Sequence, residues 1–87
     1  MPYTVQFLRS AAREFSSLPK DRQQQLASRI DGLKQDLFPS GVKKLEGEDR
    51  LYRLRVGDYR VLFDVDNNQK VVTITKVALR RDAYRNM

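Results

Sequence analysis

Residues 51–65 read LYRLRVGDYRVLFDV, and apolar and polar side chains alternate along most of this stretch. Such alternation predicts β-strands. The Gly-Asp pair at 57–58 interrupts it, and a two-residue break of this kind is typical of a β-hairpin. Successive strand residues point to opposite faces of a sheet, so if the apolar sets of both strands face the helices, Arg53, Arg55 and Arg60 gather on the open face. Leu62 and Asp64 fall on the same side as Arg60. The stretch therefore predicts a hairpin with one apolar face and one arginine-rich face.

The neighbouring segments extend this hairpin into a sheet. Residues 66–69 read DNNQ, which predicts a second turn, and residues 71–77 are rich in the β-branched side chains that favour strands. At the start of the chain, Tyr3, Val5 and Phe7 alternate with polar residues and predict a first strand.

Two helices are predicted between the first strand and the hairpin. Apolar residues recur at helical spacing, first at Leu8, Ala11 or Ala12, Phe15 and Leu18, and then at Leu26, Ile30, Leu33 and Leu37. Pro19 separates the two stripes, because proline ends one helix and suits the first turn of the next. Gly32 weakens the second helix by roughly 1 kcal/mol relative to alanine, and we expect it to mark close packing. Proline and glycine within residues 38–41 end that helix.

These elements predict an α+β fold with the order β-α-α-β-β-β. The two-helix N-terminal hairpin is expected to pack on one face of a mainly antiparallel, roughly four-stranded sheet, which leaves the other face partly open. With 87 residues, the chain is expected to form a single domain that spans residues 1–87.

The composition restricts the chemistry. The chain has 17 Lys and Arg against 11 Asp and Glu, a net charge of +6 that suits a polyanionic partner such as nucleic acid. Because it has no histidine and no cysteine, zinc sites, disulfides and Ser-His or Cys-His catalysis are excluded, and we expect neither a metal nor a cofactor. The first 20 residues show neither a signal peptide nor a membrane span, so a cytoplasmic protein is expected.

The arginine-rich face has both a structural and a functional interpretation. Antiparallel sheets often carry charged residues on their solvated face, so basic residues at alternate positions need no function. Guanidinium groups, however, bind phosphate through two planar donors at once and stabilise the charge that develops during phosphoryl transfer. Tyr84 adds a ring that either stacks on a base or anchors the C-terminal turn. Composition and spacing leave both interpretations open.

Three segments of the chain have to be considered together. They are VKKLEG at residues 42–47, LYRLRVGDYRVLF at residues 51–63 and VALRRDAYR at residues 77–85. Together they resemble the RelE/ParE superfamily of toxins from toxin–antitoxin systems, and the N-terminal strand and helical hairpin match the same family in length and order. The resemblance covers nearly the whole chain, and it is closest to RelE-like mRNA interferases.

The resemblance implies a ribosome-dependent endoribonuclease that cleaves mRNA and is silenced by a cognate antitoxin. In such toxins the substrate's own 2′-hydroxyl attacks the adjacent phosphate without a metal. By matching positions, Arg60 and Arg80 would bind the scissile phosphate, Tyr84 would stack on or orient the substrate, and Arg55 would stabilise the charged transition state. The residues assigned to RNA binding are Arg53, Arg81, Arg85, Lys43 and Lys44.

Two departures from the family pattern concern proton transfer. Arg53 and Arg55 stand where RelE toxins usually place lysines, and arginine stays protonated in proteins, so neither suits the role of general base. Leu79 stands where many relatives carry histidine. Two alternatives therefore stay open beside the nuclease: a ParE-like toxin that inhibits DNA gyrase, and an RNA-binding module that does not cleave.

Overall fold

The computed structural model describes residues 3–39, 41–45, 47 and 49–79. The helices are α1 (Arg9–Ser16) and α2 (Lys20–Gly32), and the strands are β1 (Thr4–Phe7), β2 (Val42–Lys44), β3 (Leu51–Val56), β4 (Tyr59–Asp66) and β5 (Val71–Leu79). The five strands form one sheet in the order β1-β5-β4-β3-β2. β1 runs parallel to β5, and the other neighbours are antiparallel.

The predicted α+β architecture is confirmed, with one strand more than the expected four. The additional strand is β2, which has only three residues and lies at the edge of the sheet next to β3. Its sequence, Val-Lys-Lys, is too short to show alternation, so pairing with β3 rather than a local pattern defines it.

Both predicted turns connect the antiparallel strands. Gly57 has a φ of +58°, the left-handed conformation that a two-residue hairpin turn requires and that glycine adopts without steric cost. In the turn after β4, the Asp66 carboxylate accepts hydrogen bonds from the backbone N–H groups of Asn68 and Gln69 at 3.0 Å. Asp66 therefore closes this turn through its side chain.

The core lies between the two helices and one face of the sheet. Its buried apolar residues are Ala11, Leu26, Ile30, Leu33, Leu37, Leu54, Val56, Val61, Phe63, Val65, Val72, Ile74 and Val77. The register between β4 and β5 shifts after Leu62, which leaves Thr75 as an extra residue. As a result Ile74 and Val77, although three positions apart, lie opposite the core residues Phe63 and Val61.

Glu14 fastens α1 to the part of β5 that extends beyond its pairing with β1. Its Oε1 accepts a hydrogen bond from the backbone N–H of Val77 at 2.8 Å. Its Oε2 lies 3.1 Å from Nζ of Lys76. Because β1 pairs with β5 only as far as Ile74, this carboxylate satisfies an edge donor that no strand reaches.

The second helix is shorter than its apolar stripe predicts. α2 ends at Gly32, and the tighter i→i+3 bonds Leu33 N–H to Ile30 C=O and Lys34 N–H to Asp31 C=O follow. Leu33 and Leu37 are still buried, in the turns beyond the helix. The expectation of close packing at Gly32 is wrong, since among the described residues no atom beyond the helix's own nearby backbone lies within 4 Å of the position that a Cβ would take there.

Neither α1 nor α2, the helices of the described residues, has the length and apolar character that crossing a bilayer requires.

Candidate functional site

The strand register brings the basic residues of three strands onto one face of the sheet. Arg55 of β3 lies directly opposite Arg60 of β4. Arg53 lies opposite Leu62 on one side and opposite Lys43 of β2 on the other. Directly paired residues share a face, so these four cations lie on the side of the sheet opposite the helices. We call Lys43, Arg53, Arg55 and Arg60 the arginine face.

The members of the arginine face differ in exposure. Arg55 is exposed and Arg53 is partly buried, whereas Arg60 is only 1% exposed. The guanidinium Nη1 of Arg60 donates a hydrogen bond to the carbonyl of Tyr59 at 3.3 Å. The expectation that all three arginines project from an open face is therefore wrong for Arg60.

The position of β4 in the sheet explains part of this burial. β4 is the central strand, and Arg60 has Arg55 on one side and Ala78 of β5 on the other. Leu62 on the same face is also buried, at 3% exposure, and it stands outside the core cluster beneath the helices. The middle of the arginine face is therefore covered, and its accessible cations lie on β3 and β2.

Arg50 neutralises the acidic end of the arginine face. Asp64 shares this face, because it alternates with Leu62 and Arg60 along β4. Arg50 binds it through two hydrogen bonds, Nε to Oδ1 at 3.1 Å and Nη2 to Oδ2 at 2.7 Å. The hydrogen bond and the charge of Asp64 raise the pKa of Arg50 above its ordinary value. Because this carboxylate is engaged in a bidentate pair, it competes less for Arg53 and Arg55. No sequence signal joined the two residues, which are 14 positions apart.

The two lysines assigned to RNA binding lie on opposite faces of the sheet. Lys43 pairs with Arg53 and belongs to the arginine face, whereas Lys44 pairs with Tyr52 and lies on the helix side. Both side chains are exposed. Only Lys43 is thus placed to act together with the arginines.

The remaining predicted site residues, Arg80, Arg81, Tyr84 and Arg85, lie outside the described residues. The last described residue of β5 is Leu79, which pairs with Tyr59, and Ala78 pairs with Arg60. The last described residues of β5 therefore lie beside Tyr59 and Arg60. Within residues 3–39, 41–45, 47 and 49–79, no cluster of three or more acidic, histidine or cysteine side chains is placed to bind a metal.

Comparison with known proteins identifies the family. The model for the "ParE toxin of type II toxin-antitoxin system, parDE" matches residues 3–84. The chain belongs to this toxin family. It is also similar to a protein of Methanocaldococcus jannaschii named as toxin RelE1, with 28% identity over 99% of both chains. The predicted RelE/ParE superfamily is therefore confirmed, and the chain is a toxin of a toxin–antitoxin system.

Solved structures show the same fold in relatives. The archaeal RelE–RelB complex from Pyrococcus horikoshii contains a chain with a TM-score of 0.82 and 35% identity, over 95% of this toxin and 100% of that chain. The toxin–antitoxin complex RelBE2 from Mycobacterium tuberculosis contains one with a TM-score of 0.81 and 29% identity, over 92% of this toxin and 100% of that chain. The architecture of the toxin is thus RelE-like.

Proposed function

We propose that this toxin is a ribosome-dependent endoribonuclease that cleaves mRNA without a metal and thereby stops translation. The observation that carries the proposal is the arginine face, on which Arg53, Arg55 and Arg60 share one side of the sheet in a RelE-like fold. Such a face supports binding of a polyanion, because guanidinium groups pair with phosphate oxygens through two donors. Since translation takes place in the cytoplasm, we expect the toxin to act there.

In the proposed reaction, the 2′-hydroxyl oxygen of one nucleotide attacks the phosphorus of the following phosphodiester. The new P–O2′ bond forms as the P–O5′ bond breaks, giving a 2′,3′-cyclic phosphate and a 5′-hydroxyl. The 2′-hydroxyl loses its proton and the departing 5′-oxygen gains one. Arg55 is the accessible arginine next to Arg60, and it would neutralise the negative charge on the phosphate oxygens.

Arg60 requires a rearrangement before it can act on substrate. Its guanidinium is buried and donates to the Tyr59 carbonyl, so contact with the scissile phosphate requires that this group first becomes accessible. Arg80 and Tyr84 are proposed to complete the site, with Arg80 on the phosphate and Tyr84 on a base. The described residues that precede them, Ala78 and Leu79, pair with Arg60 and Tyr59 of β4.

We further propose that a cognate antitoxin protein silences the toxin. The P. horikoshii relative is described as a RelE–RelB complex, and the M. tuberculosis relative as a toxin–antitoxin complex. The net charge of +6 favours an acidic partner, because complementary charge speeds association. Co-expression with the neighbouring open reading frame should relieve growth arrest, and persistent arrest would contradict this assignment.

The nuclease proposal is tested by adding purified toxin to a cell-free translation reaction with one defined mRNA. Primer extension should show cuts at a fixed position within the codons, and only when ribosomes are present. Arg80→Ala should abolish the cuts, and Arg55→Ala should reduce their rate by about 10²-fold, as expected when one donor to a developing oxyanion is lost. Arg9→Ala is the matched control, since it removes one exposed arginine of α1, and it should cut like the wild type.

A second candidate is inhibition of DNA gyrase, which is favoured by the ParE family model that matches residues 3–84. The same preparation is therefore added to a gyrase supercoiling reaction. Intact mRNA together with inhibited supercoiling would contradict the nuclease and support the gyrase assignment. Intact mRNA bound to ribosomes with the toxin attached, and normal supercoiling, would identify an RNA-binding module that does not cleave.

A further inference from the structure

We propose that the outer edge of β2 is the docking site of an extended, acidic segment of the antitoxin, which adds a strand to the five-stranded sheet. The inference rests on the proposed antitoxin partner, and it assigns the surface and the pattern of side chains by which that partner is recognised. Three observations carry it: the direction of the backbone groups of β2, the two lysines of this strand, and the exposed ring of Phe38.

The hydrogen bonds that flank β2 show which of its backbone groups point outward. β2 lies at the edge of the sheet, with β3 as its neighbour among the described strands. The Gly41 carbonyl and the Leu45 N–H, on either side of β2, bond to backbone groups of β3 at 3.1 and 3.0 Å. Bonded residues alternate along an antiparallel strand, so the backbone groups of Val42 and Lys44 point away from β3. The Val42 N–H donates to the Pro39 carbonyl at 3.2 Å. An added strand would thus meet one donor, from Lys44, and two acceptors.

The two lysines of β2 select the charge of the added strand. Lys43 and Lys44 are both exposed, and they point to opposite faces of the sheet. Pairing with the same strand of a second toxin copy would bring lysines together, and lysines on edge strands act against such pairing. An acidic strand instead gains from opposite charges across the same edge. Charge complementarity therefore favours an acidic partner over a second copy.

Phe38 supplies an apolar contact on the helix side of this edge. Its ring is 58% exposed and lies 5.3 Å from the ring of Tyr52 between centroids. Its backbone N–H donates to the Asp36 carboxylate at 3.0 Å. Tyr52 pairs with Lys44 and stacks on the buried Phe63. Phe38 is thus braced against the core through Tyr52, and exposed aromatic rings are typical anchors of protein interfaces.

These features define the side-chain pattern of the partner. Successive residues of the added strand point to opposite faces of the sheet. Those on the arginine face lie beside Lys43, which favours carboxylates. Those on the helix side lie beside Lys44, on the side of Phe38, where apolar side chains can pack on the ring and on the aliphatic stem of the lysine. The partner therefore alternates acidic and apolar residues. Its carboxylates compete with RNA phosphates for Lys43, so docking at this edge also opposes RNA binding.

Amide hydrogen exchange in the unmodified toxin tests the inference directly. The probe is a peptide of alternating glutamate and valine, and NMR follows the exchange of single amides. The Lys43 N–H faces β3 and should exchange slowly with or without the peptide. The Lys44 N–H should exchange fast in the free toxin and about tenfold more slowly when the peptide is bound, because only then does it have a strand partner.

The same measurement distinguishes other occupants of the edge. Slow exchange of Lys44 at every concentration of free toxin would show that the toxin's own chain covers the edge. Slow exchange that depends on toxin concentration would show that a second copy covers it. Either outcome overturns the inference, as does protection by a single-stranded RNA but not by the peptide.

A second peptide tests the alternating pattern. It has the same composition, but its glutamates and valines stand in separate blocks. Because a strand of this kind cannot place acidic side chains on one face and apolar ones on the other, it should bind about tenfold more weakly. Equal binding of the two peptides would contradict the docking of a strand and indicate attraction by charge alone.

Charge-reversal variants test the part played by Lys43. Fluorescence anisotropy gives the Kd of the labelled alternating peptide. Lys43→Glu should weaken binding by about tenfold, since an attractive pair becomes a repulsive one. Lys20→Glu is the matched control, because it changes the net charge equally at an exposed position of α2, and it should alter the Kd by less than about twofold. Equal Kd values for the two variants would overturn the inference.

Two further comparisons separate the backbone from the ring. Lys44→Pro should bind the peptide about fivefold more weakly than Lys44→Ala, because it lacks the outward N–H and loses no bond to β3. Phe38→Ala should weaken binding by about fivefold through loss of the apolar contact. Equal affinity of the two Lys44 variants would contradict strand addition.

The complex with the protein of the neighbouring open reading frame separates this inference from the antitoxin proposal. Growth arrest that this protein relieves, with Lys44 still in fast exchange in the complex, would uphold the antitoxin and overturn the docking edge. Persistent arrest, with Lys44 protected by the peptide, would remove the antitoxin assignment and support the edge as a site for an acidic strand.

Discussion

The two faces of the sheet are formed by the same strands but have different roles. On the helix side, Leu54, Val61 and Phe63 are 0% exposed and pack into one apolar cluster. On the other side, Arg53 and Arg55 remain at least partly accessible to solvent. The first face supplies the free energy of folding, because burial of apolar surface stabilises the native state. The second face contributes charge, which stabilises the fold little.

β4 is the strand whose side chains are buried on both faces of the sheet. Residues 60–63 are all buried, so alternation along this strand no longer separates inside from outside. Arg60 is buried directly opposite a second arginine, Arg55. Like charges that lie directly opposite each other in a sheet lower stability. Such a local conflict with folding is expected where residues are retained for function.

The largest loss of stability is expected from a substitution on the apolar face. Phe63→Ala removes a fully buried ring that stacks on Tyr52, with ring centroids 5.8 Å apart. The free energy of unfolding, measured in urea, should fall by about 3–5 kcal/mol. Lys43→Ala on the arginine face is the control and should change it by less than about 0.5 kcal/mol. Similar losses in the two variants would contradict the conclusion that the apolar face stabilises the fold and the arginine face does not.

A smaller loss of stability is expected when the contact between Glu14 of α1 and the sheet is removed. Glu14→Ala leaves the Val77 N–H without its acceptor and Lys76 without its carboxylate. The free energy of unfolding should fall by about 1–3 kcal/mol, and hydrogen exchange at the Val77 amide should accelerate. Glu14→Gln keeps an oxygen that can accept from Val77, so its loss should be smaller. Equal losses in both variants would show that the ion pair, rather than the bond to the strand, holds α1.

A gain is expected at the end of α2, without any change on the arginine face. Gly32→Ala should raise the free energy of unfolding by about 0.5–1 kcal/mol, since the site is helical and has room for a methyl group. Toxicity should be unchanged. Gly57→Ala is the opposing control, because a residue with a Cβ at a φ of +58° is strained by about 1–2 kcal/mol. Destabilisation by Gly32→Ala would mean that α2 needs a break at this residue.

The smallest change in stability is expected on the arginine face itself. Arg55→Gln removes one charge from the direct pair with Arg60. Urea unfolding should show a gain of a few tenths of a kcal/mol, because Arg55 is exposed and solvent screens the repulsion. The same variant should lose RNA-directed activity. A loss of stability would show that Arg55 supports the fold rather than opposing it.

The order and type of the main elements could be predicted from the sequence, because they follow from local periodicity. Strand alternation placed Arg53, Arg55 and Arg60 on one face, and the Gly57 turn joined β3 to β4. Family-specific motifs pointed to the same superfamily that the comparisons identify. These signals are short-range, since covalent geometry sets the direction of each side chain relative to its neighbours.

Exposure and long-range pairing were decided by the tertiary structure. The burial of Arg60 depends in part on its place on the central strand, a property that belongs to the whole sheet. The pair of Arg50 with Asp64 joins residues that are 14 positions apart in sequence. The helical and strand periodicity of the sequence gives no information on such long-range contacts. The sequence by itself therefore determined which side chains share a face, and only the packing of strands and helices decided which of them are accessible to a ligand.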